Sequence, residues 1–216
     1  FRIPSLAVVM AGAASAIYHV AGGSMSASGN KAFPIGLFAA PGVAGLIAGG
    51  YFAWEQYHLQ WPLVITCISW LVIFQSAGVP RTISKDQEMQ KPGMATVLPD
   101  QHDLVMILLL LVISLRSAVW NIFQLLHEGQ YDWLLVIALA AFAGKIAGGW
   151  MADKIGWRTY TYLSMAAAAP LISFFRNEML LFSIGIGLLQ SGIPATTALL
   201  IRSVQGQRER GIALSF

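Results

Sequence analysis

From Leu104 to Ile113 the chain places ten apolar side chains in succession, with no polar residue among them. A strand of a membrane barrel alternates apolar and polar residues, so this run excludes that reading. It belongs to a longer stretch, 104–127, broken by a single charge at Arg116. A helix needs about 20 mostly apolar residues to cross the hydrocarbon core of a bilayer. Other stretches meet or approach that length without Asp, Glu, Lys or Arg: 3–30, 32–54, 56–80 and 179–201. Residues 133–152 form another, interrupted only by Lys145, and 157–175 a shorter one containing Arg158. The pattern predicts an all-α polytopic membrane protein with seven full spans and the opening of an eighth at Gly211.

Composition supports the membrane reading. Of the 216 residues, 56% are hydrophobic and 11% charged, against roughly 25% charged in soluble domains. The lone Cys67 excludes a disulfide scaffold. Eleven Phe and seven Trp exclude disorder. The net charge of +3 comes from basic residues scattered between apolar runs, which argues against nucleic acid as a partner. The chain opens at Phe1 with no basic leader and closes at Phe216 within a fresh apolar run, as expected of a segment from a longer protein.

The connections between spans alternate in basic charge. One set carries Lys31, then Arg81, Lys85 and Lys91, then Lys154 and Arg158, then Arg202, Arg208 and Arg210. The other set, 55–60, 128–132 and 176–178, carries only Arg176. Basic loops stay in the cytoplasm, so the first set is expected inside. The polar stretch 81–103 then becomes a cytoplasmic linker. It divides the chain into a membrane half at 1–80 and another at 104–216.

Gly149-Trp150-Met151-Ala152-Asp153-Lys154-Ile155-Gly156-Trp157-Arg158 lies between two spans in one of the basic loops. Gly149 allows close helix approach, Asp153 can face the positive end of a helix, and Gly156 permits a tight turn. Lys154 and Arg158 hold the loop inside. This run resembles the cytoplasmic loop signature of the major facilitator superfamily, with Thr159 where the family carries a last basic residue. A second stretch is similar to the fourth and fifth helices of bacterial facilitators: Tyr18-His19-Val20, then a Gly-rich helix through Gly36, Gly42, Gly45, Gly49 and Gly50. Val20 stands where many of these have Pro. The resemblance implies helices four to ten and the start of eleven of a twelve-helix bundle. It implies a bacterial inner-membrane carrier, monomeric, with 81–103 on the cytoplasmic side. It also implies that Asp153 latches the two halves by pairing with a helix start near Lys31 to Phe33, with Arg202 as charge partner.

Arg116 is the strongest candidate for a substrate cavity. A charge near the middle of a span costs about 2.5–3.5 kcal/mol on insertion, so it should face the bundle interior. Helical spacing places Trp120, Gln124 and His127 on its stripe. Tyr18, His19 and Gln190 are further cavity candidates, and Gln190, Pro194, Thr196 and Thr197 form a polar, Pro-broken patch that reads equally as a local kink and as a ligand site, since Thr often bonds back to its own helix carbonyls. Lys145 reads as a snorkelling residue. No acid falls within the apolar runs, so two intramembrane cations suggest an anionic substrate. The expected function is secondary active transport of a small solute, with a proton or other ion as a coupling partner. The alternatives are a drug-efflux carrier of the same family, and, in other classes, a membrane-embedded enzyme or a non-transporting sensor. The four His are scattered without metal-ligand spacing, and no phosphate-binding Gly-Lys loop occurs. No enzyme activity, metal or cofactor is therefore expected.

Overall fold

The computed structural model describes residues 4–29, 31–55, 64, 68, 101–127, 129–204 and 208–215. Helix α1 spans Pro4–Ser26 and α2 Phe33–Trp54. Helix α3 spans Gln101–Leu126, α4 Tyr131–Ile155 and α5 Trp157–Phe174. Helices α6, Met179–Ser191, and α7, Ile193–Ser203, follow each other with only Gly192 between them, and α8 is a short Arg208–Ala213. No strand occurs among the described residues. The chain divides into two compact units, Phe1–Ile47 with Pro99–Phe216, and Ala48–Leu98. The second includes the end of α2, where the Tyr51 and Phe52 rings meet edge to face.

Four segments are long and apolar enough to cross a membrane: Phe33–Phe52, Leu104–Leu126, Tyr131–Ile155 and Met179–Ser203. At 1.5 Å per residue, the 25 residues of Tyr131–Ile155 reach about 38 Å, more than the ~30 Å hydrocarbon core. They indicate an integral membrane protein. The count of seven is thus met only in part. Helix α5 has the expected position but falls short in apolarity, diluted by Arg158, Thr159, Thr161 and Ser164. Helix α1 lies within the expected first span, 3–30. The expected span 56–80, apart from Val64 and Ile68, and residues 81–100 of the expected linker lie outside the described residues, while linker residues 101–103 open α3.

Local chemistry accounts for the helix ends. Asp132 in the first turn of α4 and Lys154 in its last complement the helix dipole. Gly156 alone joins α4 to α5, with φ 102°, a left-handed backbone that favours glycine. Pro194 sits in the first turn of α7, where a missing N–H costs least.

In lipid, apolar side chains gain little by meeting one another, so helices associate through small residues that let backbones close in. Helix α4 follows this rule against α6. A Cβ on Gly144 would collide with the Gly187 carbonyl, and one on Gly148 with Ser191. Apolar clusters fill the spaces beside this seam. Ile137, Phe182 and Ile186 form one, flanked by Trp120, Phe123 and Trp133. Another gathers Ala27, Ala32, Ile35, Ala152, Tyr160, Ala195, Ala198 and Ile212, from the starts of α2 and α5, the end of α4, the first half of α7 and the last turn of α8, with Ala27 just after α1. That cluster supports the first of two candidate sites.

Candidate functional site

The first site is the end where α4 meets the start of α2. Gly149 lies so close to Ala32 and Phe33 that a Cβ there would stand 2.8 Å from the Ala32 carbonyl oxygen and the Phe33 Cα. One turn further along α4, this approach brings the Asp153 carboxylate over the first amides of α2. The Ala32 N–H donates to Oδ1 at 2.7 Å and the Phe33 N–H to Oδ2 at 3.0 Å. The opening amides of a helix have no partner within it. Asp153 therefore caps α2 from 121 residues away, a task that Ala32 and Phe33 cannot do for themselves. The Trp157 indole N–H donates to the same Oδ1 at 2.9 Å.

Arg202 does not meet the expectation of an ion pair with Asp153. Its guanidinium lies over the Trp157 ring, 3.9 Å from the centroid. A flat, weakly hydrated cation stacks well on indole, and Trp157 thus stands between Arg202 and the carboxylate. Lys154 lies over the Trp150 ring at 3.7 Å. Arg158 is exposed. Lys31, Ile35, Ile201, Trp157 and Arg202 border a shallow open cleft at this end. Trp157 was not singled out from the sequence. Its signal was the four-residue spacing from Asp153, a helical neighbour distance that holds here across the Gly156 turn.

The second site lies within α3. Arg116 is 3% exposed. Its Nη1 donates to the Thr196 hydroxyl at 3.0 Å. That hydroxyl shares its single hydrogen between the Gly192 and Ile193 carbonyl oxygens, at 2.9 and 3.0 Å. Nε and Nη2 are buried without a hydrogen-bond partner. Gly192 makes the seat possible, since a Cβ there would stand 3.0 Å from both Arg116 Nη2 and Ser164 Oγ. The helix in the expected span 179–201 is interrupted here, within the patch where a kink was expected. The Gly192 amide turns to the Gln190 carbonyl, and the helix restarts with Pro194 in its first turn. Around the break lie buried Gln190, Ser191, Thr196 and Thr197. Tyr160 ties α5 to it, its hydroxyl donating to Ser191 Oγ at 2.8 Å.

The remaining candidates spread out. Trp120 is half-buried but packs into two apolar clusters, one of them Val43, Ala138 and Ala141. Gln124 is half-buried. His127 stacks on Trp133 at 4.7 Å, its Nδ1 3.1 Å from the Phe123 carbonyl oxygen. Tyr18 and His19 meet the Phe38 ring, at 5.3 and 6.0 Å between centroids. The Lys145 amine donates to the Ala39 carbonyl oxygen at 3.3 Å, joining α4 to α2. Among the described residues, no three His, Cys, Asp or Glu gather as a metal site would require. What Arg116 offers is a buried positive charge with two free donors beside a helix break. What Asp153 offers is an exposed tie between helices distant in sequence. No protein-family profile, no curated protein and no solved structure matches this chain.

Proposed function

We propose that the protein is a secondary active transporter of the major facilitator type, moving a small organic anion by alternating access across a bacterial inner membrane. The observation that carries this reading is the Asp153 carboxylate on the Ala32 and Phe33 amides. It joins a helix of the first membrane half to a helix of the second by polar contacts at an exposed end. A charge at a helix N-terminus is worth about 0.3–1 kcal/mol there. A tie of that size can open and re-form as two halves rock about a central cavity. The charge pattern of the loops assigns this end, with the linker 81–103, to the cytoplasm.

The anionic cargo rests on Arg116, a buried cation with no carboxylate paired to it among the described residues. The same charge disfavours a drug-efflux carrier for cationic compounds. The test is solute uptake by the full-length protein in liposomes, with and without a proton gradient. Asp153→Asn should move the inward–outward balance about five-fold, the equivalent of ~1 kcal/mol. Unchanged uptake and an unchanged balance in that variant would remove the latch from the mechanism.

A further inference from the structure

We infer that Arg116 is the carboxylate clasp of this carrier, and that its cargo is a small monocarboxylate held on one edge of the guanidinium. This inference rests on the transporter reading above and assigns its substrate class. A guanidinium presents its donors on separate edges. One of them pairs Nε–H with an N–H of Nη2, two parallel bonds spaced for the two oxygens of a carboxylate. In this structure Nη1 is committed to Thr196, while Nε and Nη2, the two atoms of that fork, are both buried and unpartnered. A buried donor left without an acceptor is costly, and here a matched pair of them sits on one residue. The edge lies beside Gly192 and the restart of the helix as α7, close to Ser164 Oγ. A helix start of this kind, in the middle of a broken span, favours negative charge.

Charge balance narrows the class. One guanidinium compensates one negative charge. Lys145, the other cation within an apolar run, is engaged with the Ala39 carbonyl. A divalent phosphate would leave a charge uncompensated in a low-dielectric interior, and a neutral amide would satisfy the donors without neutralising the charge. Because Arg116 is enclosed in this conformation, the carboxylate reaches it only when the α6–α7 rod moves relative to α3.

The experiment uses the full-length protein in lipid nanodiscs for melting and in liposomes for counterflow. The probes are acetate, lactate, pyruvate and benzoate, their primary amides, and inorganic phosphate. The expected result is that at least one monocarboxylate raises the melting temperature and exchanges in counterflow, while its amide and phosphate bind at least ~10-fold more weakly. Arg116→Lys keeps the charge but lacks the fork, and should lose ~10-fold or more in affinity. Gly192→Ala keeps Arg116 but presses on Nη2, and should weaken the same carboxylate without abolishing the fold. If no monocarboxylate acts, if an amide acts as well as its acid, or if Arg116→Gln binds as tightly as the natural protein, the clasp is overturned. Should another solute still be carried, in a manner sensitive to Asp153→Asn, only the clasp falls. Absence of flux for every anionic, neutral and cationic solute tried would take the carrier reading with it.

Discussion

Two membrane spans of nearly equal length differ sharply in their surroundings. In Leu104–Leu126, 6% of the most apolar stretch is buried, whereas in Met179–Ser203 the figure is 72%. The exposed span is the richer in leucine, with Leu104, Leu108, Leu111 and Leu115 all outward. The enclosed one carries Ser183, Gln190, Ser191, Thr196 and Thr197. In water the order would be reversed. In lipid, a leucine is as well solvated outside as inside, so burial is left to small and polar groups that need protein partners. Arg116 is the exception that unites the two spans, a charge on the exposed helix turned inward to the polar one.

Substitutions can break this contrast or sharpen it. The largest effect is expected from Leu115→Arg, which sets a second charge next to Arg116 but on the outward face, where Leu115 is 57% exposed. Without an interior partner it should cost about 2.5–3.5 kcal/mol of insertion free energy, measurable as the inserted fraction in a translocation assay. Insertion as efficient as the natural sequence would mean that this face of α3 does not meet lipid. Next comes Gly148→Leu on the enclosed seam, where a side chain meets Ser191. Overpacking of this kind should destabilise by roughly 1–3 kcal/mol, read as a lower unfolding midpoint in detergent. A midpoint equal to the natural protein's would show that α4 and α6 are not in close contact. The smallest is Tyr160→Phe, which removes the hydrogen bond to Ser191. Such bonds in membranes average about 0.6 kcal/mol, and Ser191 keeps its bond to the Leu188 carbonyl. A loss of several kcal/mol would mark the polar interior as a tighter network than described.

How much of this was legible beforehand depends on the kind of signal. Charge-free length forecast where helices lie, because one requirement, satisfying the backbone in lipid, dominates that choice. Arg116 was expected to turn inward for the same reason. The opening amides of α2 were expected opposite Asp153, though from a resemblance and not from physics alone. Pro194 and the threonines after it pointed to a kink within 179–201, though not to Gly192 as the residue where one helix ends and the next begins. Trp120 was assigned to Arg116's polar stripe, yet its ring serves apolar clusters. Helical spacing fixes a direction, and only packing decides what stands there. Arg202 was given a carboxylate by charge, but it lies on an indole, because stacking and charge compete for the same guanidinium.

In the proposed transport cycle the contact at Asp153 opens and closes as the two halves rock. Lys31 and Arg158 are both exposed and flank that contact. Spin labels at these two positions, in a full-length cysteine-free background in nanodiscs, would report the distance across it. Two populations are predicted, one short and one long, with the long one growing in Asp153→Asn and on addition of the transported solute. A single distance, the same in both proteins and indifferent to solute, would contradict the account.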